Sequence, residues 1–552
     1  MILSRYCLVL ISCRLLAIPS CTAGAELDDF PGTNRLQHLG NHVFKITTSS
    51  AAAQESFNRG LTLAYSFGHF AAEQEFRRAL KADPNCAMAW WGIALVNGPH
   101  INFPLVPPDK AATAWLALTN AQRLAHSCSP LEQDLVEALT ARYANPQPDD
   151  RSPLDVGYAN AMRKVWQAFP QSSDAAALFA EAAMDLHPWD FWSNNAPQPW
   201  TPEILATLEQ SMHLDPNNPG ANHFYIHVIE GGPNPAKAVP QADRLRDLVP
   251  DSSHMVHMPS HIYARVGRWD DAAQANHAAL LADKRYQTVY PHPGFYAMYM
   301  AHNVHFLAFV SMMQGHSSEA IECARRMIAT IPPEFLQDYG FIADGYMAVV
   351  PEALMRFGRW EEILKEPDPG DALPLARALW RYTRATALNA LGRTNETAVE
   401  RAAFSRAAAA VPKDRTMGNN PASDLLTIAT LTLDAEIAAA TNDFKTAIAK
   451  LGEAVSVQDD LHYDEPPDWI QPVRHTLGAV LMRAGRYPEA EGVYRADLKA
   501  YPENGWSLMG LRDALRRQGK ESEADAIDQR FQKAWATADV KPRTTCYCQS
   551  GK

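Results

Sequence analysis

Apolar positions along this chain recur with helical spacing, and nowhere with the strict in–out alternation of a half-buried strand. The elements predicted are helices, and no strand is expected. The breaks between helices repeat. Pro216 and Pro250, Ala238 and Ala272, Gly358 and Gly392, Gly485 and Gly519, and Ala490 and Ala524 each stand 34 residues apart. That interval is the length of a stacked helix–turn–helix unit. Each break residue has a physical role. Gly leaves the first helix in a left-handed conformation that other residues resist. An aromatic two positions later packs between the paired helices, Ala five after the Gly lets them approach, and Pro ends the second helix.

Counting these turns places units near 53–86, 219–252, 253–286, 301–334, 344–377, 378–411, 428–461, 471–504 and 505–538. Residues 87–200 read as helical with poorer agreement. A length of 552 residues would by itself suggest three or four domains. One unit cannot bury its apolar face alone, however, so neighbours must stack. The expectation is one all-α solenoid with Pro- and aromatic-rich inserts. Its stretches are a signal at 1–25, a lead-in at 26–52, an N-terminal repeat and divergent helical region at 53–200, a His-rich repeat region at 201–343, C-terminal repeats at 344–538 and a flexible tail at 539–552.

Val266-Gly267-Arg268-Trp269-Asp270-Asp271-Ala272, Ala484-Gly485-Arg486-Tyr487-Pro488-Glu489-Ala490 and Phe357-Gly358-Arg359-Trp360 resemble the turns of tetratricopeptide (TPR) repeats. Longer strings carry a narrower resemblance: Asp83-Pro84-Asn85-Cys86-Ala87-Met88-Ala89-Trp90-Trp91-Gly92, Asn222-His223-Phe224-Tyr225-Ile226-His227, His257-Met258-Pro259-Ser260-His261-Ile262-Tyr263 and Tyr463-Asp464-Glu465-Pro466-Pro467. Over nearly its whole length the chain is similar to a group of exported bacterial TPR proteins. The resemblance implies a right-handed superhelix of hairpins and export. That group has no settled activity, so the resemblance supplies no catalytic residues.

With the turn Gly as position 15, TPR repeats direct first-helix positions 2, 5, 9, 12 and 13 into the concave groove. In 219–252, positions 5, 9 and 12 are His223, His227 and Glu230; in 253–286, positions 2, 5 and 9 are His254, His257 and His261. In 301–334, positions 2 and 5 are His302 and His305, followed by Met312 and Met313. Residues i and i+4 share a helix face with Cβ atoms about 5–6 Å apart, and neighbouring first helices lie roughly 8–10 Å apart. Two imidazoles from each helix can converge across that gap, with Glu230 one turn further on. Such a set suits zinc, copper or iron. Met258, Met300 and Met312 favour copper, because thioethers are soft ligands. The expected metal residues are His223, His227, His254, His257, His261, His302 and His305, and Glu230 would be the base in a catalytic version. Two other readings stay open: a metal-free polar groove, and plain packing.

Composition narrows the partners. Lys and Arg number 50 against 62 Asp and Glu, a net charge of −12, which repels a phosphate backbone. Nucleic acid is not an expected partner; a peptide, protein or small molecule in the groove is. No apolar run is long enough to span a membrane. Residues 1–25 read as an export signal, with Arg5, an apolar stretch from Cys7 to Cys13 and Ala23-Gly24-Ala25. Cys21 sits in a poor lipid-attachment motif, and the stretch also reads as a retained apolar N-terminus. Five scattered cysteines beyond it do not form a disulfide framework. Cys546-Tyr547-Cys548 reads as part of an unstructured tail, with a disulfide or soft-metal handle as alternatives.

The aromatic insert Leu186-His187-Pro188-Trp189-Asp190-Phe191-Trp192 is expected to be a lid or pocket wall, and His100 to reach toward the groove. Tyr463-Asp464-Glu465-Pro466-Pro467-Asp468-Trp469 reads as an acidic helix cap or a second site with His475. There is no Gly-x-Ser-x-Gly elbow, phosphate-binding Gly loop or His-Glu-x-x-His. Two functions follow: an exported solenoid binding a ligand in its groove beside a transition-metal site, or a metal-dependent oxidoreductase or hydrolase built on the same histidines. An open groove with spread rings would favour the first, and an enclosed cavity with converging rings the second.

Overall fold

A computed structural model describes residues 35–549; the expected signal, its cleavage site and Cys21 lie outside the described residues. The chain is an all-α, TPR-like solenoid of antiparallel helix pairs. Ala51–Ala64 packs on His69–Ala82, Ala297–Gln314 on Ser317–Thr330, Pro374–Ala390 on Thr394–Ala410, and Val473–Arg483 on Tyr487–Ala500. Side-chain caps fix several helix starts: Asn218 accepts from the Ala221 N–H and Asn504 from the Ser507 N–H, each satisfying a donor the helix cannot. First and second helices differ in burial. Thr394–Ala410 buries only Thr397, Glu400 and Phe404, a narrow stripe of an outer helix. Pro219–Glu230 is buried along its whole length, so it lies inside the molecule.

The reason is that the superhelix winds back on itself. Trp269 Nε1 donates to the Pro502 carbonyl at 2.8 Å, and Trp506 Nε1 to the Met312 carbonyl at 2.9 Å. Asp539 accepts from the backbone N–H groups of Ser317 and Ser318 at 2.7 and 3.0 Å. Near the N-terminus, Asp251 accepts from the N–H groups of Gln37 and His38. Units far apart in sequence therefore enclose the middle of the chain. No helix among the described residues is long and apolar enough to cross a membrane.

Two expectations are corrected. The tail from 539 is not loose in its described part: Thr545 Oγ1 donates to the His475 carbonyl at 2.6 Å, Thr545, Cys546 and Gln549 are buried, and Cys546 and Cys548 form a disulfide. Its polar residues find partners along Val473–Arg483, from the His475 carbonyl for Thr545 to Arg483 for Gln549, and that pairing overrides the polar composition. Strands also occur, as two short antiparallel ladders: Trp192–Ser193 with Ala196–Pro197, and Thr416–Met417 with Asn420–Pro421. Asn194 and Asn195, between the first pair, have φ of 50° and 61°, the left-handed turn that a tight hairpin needs.

The turn glycines behave as the repeat requires, and two of them separate backbone strain from steric fit. Gly315 (φ 76°) lies so near Trp535 that a Cβ would fall 2.3 Å from the indole, while Gly485 (φ 74°) has open space beside it. Gly485→Ala is expected to cost about 1 kcal/mol, the left-handed penalty alone. Gly315→Ala should cost about 2–4 kcal/mol, because the indole that closes the superhelix must also move. Urea unfolding of the two variants measures the difference.

Candidate metal centre

The helix Pro219–Glu230 presents His223, His227 and Glu230 on one face, and all three are buried. Beside it the next first helix is broken. Ser253–His257 and Pro259–Arg265 meet at Met258, because Pro259 lacks the N–H that would continue the ladder. The break lies between His257 and His261, whose Nε2 atoms face each other at 2.8 Å. Ala297–Gln314 adds His302, whose Nε2 is 3.4 Å from that of His261.

Six of the seven expected histidines fall into two sets of three. In His223, His227 and His254, one ligand atom per residue lies within 4.8 Å of the others, and the same holds for His257, His261 and His302. His223 and His254 approach Nε2 to Nε2 at 3.0 Å. The sets are neighbours: ring centroids are 6.3 Å apart for His254 and His257, and 6.4 Å for His227 and His261. Glu230 joins them, its Oε1 2.8 Å from His227 Nδ1 and its Oε2 2.5 Å from His261 Nδ1.

Three of the six rings have their outer nitrogen held, whereas His254 Nδ1 has no hydrogen-bond partner. His223 Nδ1 donates to the Tyr65 carbonyl at 2.6 Å, His257 Nδ1 to Asn276 Oδ1 at 2.7 Å, and His227 Nδ1 to Glu230. Fixing Nδ1–H in this way leaves Nε2 with a lone pair, the arrangement of a metal-ligating imidazole and its outer partner. His227 Nε2 has no hydrogen-bond partner.

Charge follows burial. Desolvation, then the neighbouring imidazoles, push the pKa values of His223, His254, His257 and His302 well below the ordinary value, so these rings are neutral. Desolvation also lowers His227, against the pull of Glu230. His261 is the exception. Burial opposes its charge, but Glu230 and Glu465 outweigh it and raise its pKa to about 10. Burial would raise Glu230; His261 and His227 outweigh it and hold the carboxyl at about 2.

The groove at these positions is not open. Trp189 stands edge-on to His227 with centroids 5.1 Å apart, and Trp192 Nε1 donates to the Val228 carbonyl at 2.6 Å, so the 187–197 insert is a cover. From the other side Glu465 Oε2 comes within 3.5 Å of His261 Nδ1, and Tyr463 packs over Gly231. The expected cap reading of Glu465 is thereby corrected. Its burial against His261 puts it in this site, and His475 pairs with Asp497 instead, at 2.9 Å. His305 is corrected as well. Its buried ring faces Tyr346 at 5.5 Å and belongs to neither set: it stands three residues after His302, turned about 60° round the helix, whereas the paired histidines of each set are four apart. His100 does reach the site's edge, stacked on Phe67 at 4.6 Å. Phe67, His69, Asn276 and Tyr299 were not foreseen; Tyr299 lies 4.6 Å from the His254 ring.

No family model matches the chain, and no curated protein matches it. Among solved structures, a human IFIT1 dimer with m7Gppp-AAAA is similar at 12% identity over 89% of this chain and 91% of that one, with a TM-score of 0.33. The APC/C hetero-tetramer Cut9-Hcn1 is similar at 12% identity over 88% and 76%, with a TM-score of 0.30. Likeness at that level carries no information about ligand or activity.

Proposed function

We propose that this protein is a metal-dependent enzyme whose interior holds two transition-metal ions side by side, one on His223, His227 and His254 and the other on His257, His261 and His302. The observation that carries this reading is the pair of tri-imidazole sets, buried except for the half-buried His302, in which one nitrogen of each ring is brought together and Nδ1 of His223, His227 and His257 is held by an outer partner. Several facing Nε2 atoms at 2.8–3.4 Å cannot all be satisfied by one another. Metal ions would take their lone pairs together. Three protein ligands per ion leave coordination positions free for water, dioxygen or substrate, as catalytic sites require. An all-imidazole set suits copper, zinc or iron. Glu230 touches a histidine of each set, so it orients both and is placed to move a proton beside either ion.

The enclosed arrangement supports catalysis over simple groove binding, since a peptide or protein partner has no open surface at these rings. Elemental analysis of protein purified without a His tag tests the reading. Two equivalents of one transition metal per chain are expected, as isolated or after loading with Cu²⁺, Zn²⁺ or Fe²⁺. A chain that retains none after loading overturns it.

A further inference from the structure

The described end of the chain lies in the groove of the C-terminal repeats. Its last turn, Tyr547–Gln549, packs against Val349–Arg356, Pro374–Ala390 and Val473–Arg483, each the first helix of a repeat. Residues on either side of the two cysteines hold it there. Thr545 Oγ1 donates to the His475 carbonyl and accepts from the Tyr494 hydroxyl at 3.0 Å. Tyr547 meets Trp506 edge-on with centroids 6.0 Å apart, and Gln549 Oε1 accepts from Arg483. The disulfide is not needed for this anchoring. Its cysteines are two residues apart, and so short a loop restricts the unfolded chain least.

The sulfurs face a carboxyl group. Glu436, on Ala422–Ala440, has a carboxylate oxygen within 4.8 Å of the sulfurs of both Cys546 and Cys548. It is 3% exposed, and its Oε2 has no hydrogen-bond partner. Burial raises its pKa to about 8, and no cation offsets that burial. A carboxyl group in this state is short of a positive partner.

Each sulfur also faces a donor. Gln471 Nε2 stands 3.7 Å from Cys546 Sγ, and Thr476 Oγ1 stands 4.0 Å from Cys548 Sγ. Neutral sulfur is a weak acceptor and a thiolate a stronger one, so these donors are better matched to the reduced pair. Two thiolates and a carboxylate, with polar groups behind the sulfurs, form a donor set suited to zinc.

We propose that, once Cys546 and Cys548 are reduced, their thiolates and the Glu436 carboxylate bind one zinc ion in the C-terminal groove. The site shares no residue with the imidazole sets. A dithiol opens the bond through the half-buried Cys548. The dithiol is oxidised to its own disulfide, and the two electrons and two protons it loses leave Cys546 and Cys548 as thiols. Zinc then displaces both thiol protons and the Glu436 proton, with a fourth position left for water. The oxidised chain has no thiolate to offer, so there the site adds nothing to the metal count.

The test is titration of Co²⁺, as a zinc probe, into the full chain reduced with a phosphine that is then removed. Thiolate-to-cobalt charge transfer gives a near-ultraviolet band that imidazole ligands do not. One equivalent of Co²⁺ is expected to develop the band, and Zn²⁺ to abolish it. The oxidised chain and the Cys546→Ser, Cys548→Ser chain should show none. Glu436→Gln should keep the band at saturation but need at least about tenfold more Co²⁺ to reach it. The His227→Ala, His261→Ala chain should keep it in full, so the result stands whether or not the imidazole sets hold metal. A reduced chain without the band, a band that survives loss of both cysteines, or unaltered affinity in Glu436→Gln overturns the proposal.

Discussion

Protein carrying His227→Ala and His261→Ala together is expected to hold no transition metal, while His277→Ala keeps the full two equivalents. The double variant takes one imidazole from each set, and an ion left with two nitrogens in a closed interior loses most of its binding energy. Either single variant should leave one ion per chain, because the two sets share no histidine. His277 is the control: its half-exposed ring pairs with Glu319 at 3.1 Å on an outer helix. Elemental analysis after dialysis against a weak chelator gives the count. Equal loss in the double variant and in His277→Ala would mean that the metal sits elsewhere.

Glu230→Gln is expected to keep two ions but to bind both about 10–100-fold more weakly, the range found when an outer partner of a ligating histidine is removed. Gln retains the shape and can still accept from His227 Nδ1, so the variant isolates the charge. Without that charge neither His227 nor His261 is held by an anion, apart from the more distant Glu465 at 3.5 Å. In the metal-free protein the same change breaks a fully buried pair and should cost about 3–5 kcal/mol. Chelator competition measures the first effect and urea unfolding the second. An effect on stability without any on affinity would assign Glu230 to the scaffold alone.

Much of this was legible in the chain because a repeat is a local rule. Gly358, Gly392, Gly485 and Gly519 mark turns wherever they occur, and a turn residue acts through its own φ whatever surrounds it. The same ruler led from His223 to His257 and from His227 to His261, since groove positions are set by the unit and not by the fold's distant parts. Asn194 and Asn195 carried a hairpin signal that the helical reading passed over. Pro259 also stood in plain view in the middle of a His-bearing helix, and the break it makes sets how His257 and His261 face each other.

What could not be read depends on residues brought together by closure. Glu465 lies 204 residues from His261, and no period connects them. Phe67 broke the turn rule visibly, yet which rings it would cover depended on the placement of the units near 219 and 253. The tail's buried Thr545 and Gln549 look solvent-facing in composition and are held by partners from other repeats.

The sequence by itself determined an all-α chain of stacked hairpins and the helix face on which each histidine stands, because helix period, turn conformation and unit length are local properties. Only the tertiary structure decided that this face is sealed, that the imidazoles divide three and three, and that His305 is excluded while Glu465 is admitted. Those outcomes follow from how far the superhelix winds before its ends meet its middle. That is a sum of many small rotations which no single unit specifies.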